Sequence, residues 1–167
     1  MKIFALIGTL AALCAAPLAA RDSLGVFSDW GAFRDAATPR CYAISKPFET
    51  VEQPDYEAFA SVGTWPLRQV RGQVHFRLSR PIAERSAVTL SVGSRRFSLA
   101  AGGGDAWARD PAMDAAIVAA MRSANTMTVR ARDRTGRVFS DRYRLAGVAS
   151  ALDAATVACA RSRNSSR

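Results

Sequence analysis

Residues 88–99 read VTLSVGSRRFSL, and apolar and polar side chains alternate there on both sides of a Gly-Ser pair. The apolar positions are Val88, Leu90, Val92, Phe97 and Leu99. Alternation with a period of two is typical of a strand with one buried face. A two-residue Gly-Ser link between two such runs predicts a β-hairpin with a type II′ turn.

Other stretches show the same alternation and extend the β pattern. Residues 70–79 place Val74, Phe76 and Leu78 on one face, and residues 126–145 contain two runs joined by the turn DRTG at 133–136. Residues 41–45 form a further short run. Short strands at this spacing favour a sandwich or barrel over a parallel sheet. The sequence therefore predicts a mainly β fold, specifically an antiparallel β-sandwich.

Two short helices are expected to interrupt these strands. Asp110 followed by Pro111 is typical of an N-cap with proline at the first helical position, which predicts a helix over about 110–123. A second helix is predicted over about 150–160, with Ser150 and Asp153 as its capping box. Its apolar face contains Cys159, which we expect to point inward.

The N-terminus has the layout of a secretory signal peptide. Lys2 precedes an apolar run, and small residues at Ala19 and Ala20 precede a charged pair. The run is shorter than the ~20 residues that span a bilayer, although an uncleaved anchor is the alternative. We expect a signal peptide at 1–20, one domain at 21–160 and a flexible basic tail at 161–167. The protein would then be periplasmic, in the outer envelope or secreted, without a transmembrane segment after cleavage.

The cysteines suggest one disulfide. Of the three cysteines, Cys14 falls in the signal peptide, which leaves Cys41 and Cys159 in an oxidising compartment. A bond between them would close almost the whole domain and be worth about 4–5 kcal/mol. The alternative is two separate buried thiols.

The charge of the chain is strongly basic and comes almost entirely from arginine. The 167 residues include 23 Lys and Arg against 14 Asp and Glu, a net charge of +9. Such a balance favours anionic envelope components, such as phospholipid or lipopolysaccharide phosphates, or a surface protein as partners. Export argues against nucleic acid.

Four arginines of the second hairpin form the most specific candidate binding site. Arg130 and Arg132 share one strand face, and Arg142 and Arg144 share a face of the return strand. If the two faces coincide, the hairpin carries a basic ribbon that can bind phosphates or carboxylates. The alternative is a solvated outer face whose charge is balanced by Asp133 and Asp141.

Catalytic and metal-binding motifs are absent from the sequence, so no catalytic residue, cofactor or metal is predicted. The lone histidine, His75, lies on the polar face of its strand and is expected at the surface. Asp110 and Asp114 are interpreted as helix-capping residues rather than a carboxylate site. The acidic residues within 49–57 lack a calcium-loop pattern and are interpreted as a solvated loop.

Several short motifs resemble exported proteins of the invasion-associated locus B family. The matching segments are Trp30-Gly31-Ala32-Phe33, Arg40-Cys41-Tyr42-Ala43-Ile44, the 74–80 strand, Arg96-Phe97-Ser98-Leu99, Asp105-Ala106-Trp107 and 141–147. The resemblance covers about residues 28–160 and implies a small envelope protein with a β-sandwich-like body. The family has no established catalytic residues to transfer. The chain lacks further cysteines found in the family, which indicates a divergent branch.

The sequence thus predicts an exported, non-enzymatic envelope protein that contacts anionic envelope or host surfaces. Two alternatives from other classes stay open. One is a secreted enzyme with a carboxylate site built from Asp105 and Asp141. The other is a carbohydrate- or lipid-binding module that uses Trp65 or Trp107 as a stacking surface.

Overall fold

A computed structural model describes residues 21–35 and 37–164, with side chains through residue 160. The predicted signal peptide and residues 165–167 of the predicted tail lie outside the described residues. Ten strands, two α-helices and a short 3-10 helix, Pro66–Arg68, make up the described part of the chain. The strands are β1 (Arg21–Phe27), β2 (Trp30–Asp35), β3 (Arg40–Ser45), β4 (Phe59–Trp65), β5 (Val70–Arg77), β6 (Val88–Val92), β7 (Arg95–Gly102), β8 (Asp105–Trp107), β9 (Thr126–Arg132) and β10 (Val138–Arg144). The helices are α1 (Pro111–Met121) and α2 (Val148–Asn164).

All ten strands belong to one open antiparallel sheet, ordered β1-β2-β3-β4-β5-β8-β7-β6-β9-β10. A mainly β antiparallel fold with two helices is therefore confirmed, but the structure gives a single sheet where a sandwich of two was expected. Strand β7 explains the difference. It pairs with β6 through Arg95–Leu99 and with β8 through Ala100–Gly102, so one long strand joins the two halves.

The sheet curls so that its two ends approach each other around the core. The indole Nε1 of Trp30 in β2 donates to the carbonyl of Arg144 at the end of β10, at 2.9 Å. The rings of Phe76 in β5 and Tyr143 in β10 lie 6.1 Å apart. Residues from both halves therefore share one core, whose largest fully buried side chains include Trp30, Tyr143, Phe76, Leu78, Leu90, Ile117, Met121 and Met127.

Both predicted hairpins are confirmed. Strands β6 and β7 are joined by Gly93 and Ser94, and Gly93 has φ +55° while Ser94 is not in the left-handed region, as a type II′ turn requires. Strands β9 and β10 pair from Val138↔Arg132 to Arg144↔Thr126. The hairpin that carries the four arginines is thus regular along its length.

Helix α1 begins as its sequence predicts. The Asp110 carboxylate accepts a hydrogen bond from the Met113 amide at 2.8 Å, and Pro111 is the first helical residue. One turn later, Asp114 accepts a bond from the Val74 amide at 2.7 Å. Strand β8 pairs with β5 only from His75 onward, so Asp114 satisfies an amide that has no strand partner on that side. Partial burial raises the pKa of Asp114, and the Asp110 charge adds to the rise while the Val74 bond opposes it.

Helix α2 starts at Val148 and ends at Asn164, two residues earlier and four later than predicted. The predicted capping box is wrong, because Ser150 and Asp153 lie inside the helix. Gly147 precedes the first turn with φ +84°, and a Cβ there would lie 1.8 Å from the Phe27 carbonyl oxygen, so only glycine fits. Asp153 instead accepts a hydrogen bond from Arg122 at 2.6 Å, which lowers its pKa and links the two helices.

The predicted disulfide between Cys41 and Cys159 is present. It joins β3 to α2, and both cysteines are buried beside Ala155. The alternative of two free thiols is excluded. The bond fixes the last helix against the sheet.

Candidate functional site

The four candidate arginines of the β9–β10 hairpin lie on one face. In both strands buried and exposed residues alternate, and Arg130, Arg132, Arg142 and Arg144 are all exposed. The strand register places Arg130 opposite Ser140 and Arg142 opposite Thr128. Residues directly opposite in an antiparallel pair point to the same side, so the two arginine-bearing faces coincide.

The opposite face of this hairpin lies in the core. Met127, Val129, Phe139 and Tyr143 are buried there. Burial, together with the nearby negative charge of Asp141, raises the pKa of Tyr143 far above its usual range, so this phenol stays neutral.

Asp133 and Asp141, which the alternative of a solvated outer face uses to balance its charge, are both buried and do not lie on that face. Asp141 is completely buried, because alternation along β10 places it on the inner face between Phe139 and Tyr143. Its carboxylate accepts hydrogen bonds from the Ser79 amide, at 2.9 Å, and from the Thr50 hydroxyl.

Asp133 is also buried and organises the β9–β10 turn. One carboxylate oxygen accepts bonds from the Thr135 hydroxyl and from the amides of Thr135 and Arg137. The Thr135 hydroxyl makes the largest contribution in lowering the pKa of Asp133. Arg137 lies 3.4 Å from the same carboxylate. The buried Asp133 carboxylate therefore stabilises the β9–β10 turn itself.

The basic surface extends beyond the hairpin to β6 and β7. One cross-strand row runs from Arg96 through Ser91 and Thr128 to Arg142. Residues of such a row point to the same side of the sheet, so Arg96 joins the surface that the four hairpin arginines form. Asp141, which points inward, is the sole acidic residue in β6, β7, β9 and β10. We call the resulting surface the basic face, defined by Arg96, Arg130, Arg132, Arg142 and Arg144.

Sequence reasoning missed Arg96, although a signal for it was present. The alternation that places Phe97 and Leu99 inward along β7 also places Arg96 and Ser98 outward. Arg109 binds the Ser98 hydroxyl at 2.7 Å, which brings a further guanidinium to the border of this face.

Part of the charge on the basic face is paired. Arg142 contacts Glu49 at 2.7 Å, and Arg144 lies 3.8 Å from Asp29. These pairs are solvent-exposed, and exposed ion pairs contribute only about 0–1 kcal/mol. In the described part of the chain, Arg96 and Arg130 have no carboxylate within ion-pair distance.

Glu49 reaches the basic face because its segment pairs with the edge of β10. The Phe48 amide donates to the Arg142 carbonyl at 2.9 Å, and the Arg142 amide donates to the Glu49 carbonyl at 2.8 Å. We call residues 48–50 the edge segment. The acidic residues around it have separate partners: Glu57 lies 3.8 Å from Lys46 and Asp55 lies 3.9 Å from Arg80.

The two acids of the enzyme alternative do not share a site. Asp105 in β8 contacts His75 at 3.0 Å and Arg77 at 2.6 Å, whereas Asp141 contacts Thr50 and Ser79. His75 is about one quarter exposed, so it is more buried than expected. Among the described residues, no three His, Cys, Asp or Glu side chains lie close enough to hold a metal ion.

The two tryptophans of the binding-module alternative are each partly covered. Trp107 stacks on His75 with ring centroids 5.3 Å apart. Trp65 lies over Gly63, where a Cβ would be only 2.6 Å from the indole ring. Both rings therefore serve to cover the outer surface of the sheet.

A cleft of about 800 Å³ lies between α1 and α2, away from the basic face. Its wall includes the disulfide, Val62 and Leu152, and Arg71 and Arg122 also line it. Arg122 already pairs with Asp153.

The fold and the site define a small disulfide-bonded antiparallel β protein with one basic outer face. A family model described as Invasion associated locus B (IalB) protein matches residues 36–156. The chain therefore belongs to the invasion-associated locus B family, as the sequence motifs indicated. Comparisons with curated proteins and with solved structures gave no match.

Family membership and the disulfide together indicate a protein of an extracytoplasmic compartment. In the described part of the chain, neither α-helix has the length and apolar character needed to cross a bilayer.

Proposed function

We propose that this protein is an exported, non-enzymatic component of the cell envelope that binds anionic surfaces through the basic face. The observation that carries the proposal is the outward alignment of five arginines on β7, β9 and β10, which together with the intervening β6 contribute no outward carboxylate. The predicted signal peptide supports export, and the resemblance of the chain to an envelope family supports the compartment.

The arrangement favours anions for two physical reasons. Arginines that project from one rigid face repel one another, and an anionic partner relieves that repulsion. In addition, a guanidinium binds phosphate or carboxylate with two parallel hydrogen bonds. Each arginine near an anionic membrane is typically worth about 1 kcal/mol, less where Glu49 or Asp29 already pairs with it.

The observed surroundings of the acidic residues support a binding role over catalysis. Asp141 is buried and accepts hydrogen bonds from Thr50 of the edge segment and from the Ser79 amide, and Asp105 is paired with Arg77 and His75. In the described part of the chain, the groups that contact these two carboxylates are hydrogen-bond donors and cations, which differs from the paired carboxylates of general acid–base catalysis.

Two quadruple variants with equal net charge test the proposal. The first changes Arg130, Arg132, Arg142 and Arg144 to Gln. The control changes Arg21, Arg34, Arg68 and Arg71 to Gln; all four lie outside the basic face, and Arg34 pairs with Asp22 much as Arg142 pairs with Glu49.

Binding to vesicles with anionic headgroups and to soluble polyphosphate is measured by sedimentation and by titration over a range of salt concentrations. We expect the parent and the control to bind in a salt-sensitive manner and the first variant to lose most of its affinity. Equal loss in both variants would mean that net charge alone governs binding, and no loss in the first would refute the role of the basic face.

A further inference from the structure

Phe48 in the edge segment is an exposed aromatic side chain within the basic face. Phe48 is 39% exposed, and it is one of the five large apolar residues that are exposed in the described part of the chain. Its ring lies 4.3 Å from the guanidinium carbon of Arg144 and 5.6 Å from that of Arg142. Two arginines of the basic face therefore flank one aromatic ring.

Hydrogen bonds to β10 fix the segment that carries this ring. The Phe48 amide is bonded to the Arg142 carbonyl, and two residues later the Thr50 hydroxyl is bonded to the buried carboxylate of Asp141. The edge segment is thus anchored to β10 at two points. An aromatic residue that is anchored in this way loses little further conformational freedom on binding.

An apolar groove of about 770 Å³ opens beside the ring. Phe33, Ile44 and Phe59 are half-buried residues of its lining. Val26, the residue of β1 that is 74% exposed, lines it as well, together with Arg144. Two of the five exposed large apolar residues therefore meet at one groove, whose charged lining residues are Lys46, Arg144, Asp29 and Glu57.

Resting on the proposed function, we infer that the anionic partner of the basic face is a lipid bilayer surface, with Phe48 as the apolar anchor. Apolar and aromatic side chains enter the boundary between headgroups and acyl chains, while arginines beside them bind lipid phosphates. A soluble polyanion would use the arginines but offer nothing to Phe48 or Val26. The combination of exposed apolar residues and arginines at one place therefore fits a membrane better than a dissolved polymer.

The substitution Phe48→Ala separates the two kinds of partner. It should weaken binding to anionic vesicles by about tenfold, because part of a phenyl side chain no longer leaves water. Affinity for soluble polyphosphate, which carries phosphates without a bilayer, should change by less than about twofold. Phe48→Trp should keep the affinity of the parent for vesicles, and Leu67→Ala, which removes an exposed apolar residue of the 3-10 helix, serves as the matched control.

The outcomes distinguish this inference from the proposed function. Polyphosphate binding by Phe48→Ala at parental strength shows that the basic face is intact in that variant. If vesicle binding is then also unchanged, or if Leu67→Ala weakens it equally, the membrane anchor is refuted while the proposed function stands. If the parent binds neither vesicles nor polyphosphate, the proposed function itself fails and the inference fails with it.

Discussion

Replacing the buried Asp141 by alanine should destabilise the protein by about 3 kcal/mol. The change removes the acceptor of two donors, the Ser79 amide, which is buried, and the Thr50 hydroxyl, whose residue is exposed. A hydrogen bond to a charged group contributes about 1.5–3 kcal/mol to stability, so two such bonds give about 3–6 kcal/mol. Removal of a buried charge returns part of its desolvation cost, which places the expected total at the lower end of this range.

Asp141→Asn is the matched control, because the amide can accept from Ser79 and donate to Thr50. We expect it to stay within about 1 kcal/mol of the parent. Urea unfolding followed by circular dichroism measures both variants, and 3 kcal/mol corresponds to a fall in the midpoint of about 1.5 M for a typical small domain. Equal midpoints for the alanine variant and the parent would refute the assignment of Asp141 as the anchor of the edge segment.

Three further changes test other parts of the structure. Cys159→Ser should lower the free energy of unfolding by about 4–5 kcal/mol, measured by urea unfolding, because it opens a loop of 118 residues; equal stability of parent and variant would contradict this. Asp110→Ala should cost about 1 kcal/mol in the same assay through loss of the N-cap of α1, and a cost near zero would contradict the cap. The raised pKa of Asp114 means that its contribution to stability is present below the unfolded-state pKa and is lost as pH rises through the folded-state pKa. Asp114→Asn, which can still accept from Val74, should therefore be at least as stable as the parent at neutral pH and show a smaller loss of stability between acidic and neutral pH; a less stable variant would contradict this.

The local elements of this fold could be predicted because their signals lie within short stretches of sequence. Alternation identified the β6–β7 and β9–β10 hairpins, and the Asp110-Pro111 pair identified the start of α1. Strands β1 and β2 were not predicted from patterning. β1 contains a register shift at Gly25 that interrupts its alternation.

The joining of the strands into one sheet depends on contacts that no local pattern encodes. Strand β8 has only three residues, and its pairing with the second half of β7 decides between one sheet and two. The end of β7 reads Ala100-Ala101-Gly102, which carries no strand signal of its own. The expectation of a sandwich therefore failed at this short non-local contact.

The residues of the candidate site could be predicted where local alternation places them, but not where a long-range contact does. The four hairpin arginines followed from period-two alternation, and the same rule, applied without regard to polarity, would have placed Asp141 in the core and Arg96 on the surface. Phe48 and Glu49 could not be placed, because 93 residues separate Glu49 from Arg142 along the chain. Only the folded structure brings the edge segment beside β10.

The most direct test of the central claim is to identify which arginines contact a bound anion. Nuclear magnetic resonance of the isotope-labelled protein, titrated with polyphosphate, can follow the Nε–Hε signals of individual arginines. We predict that the signals of Arg96, Arg130 and Arg142 shift first and together, and that those of Arg68 and Arg71 stay in place until higher polyphosphate concentrations. Early shifts at Arg68 and Arg71, with the basic face unaffected, would contradict the account.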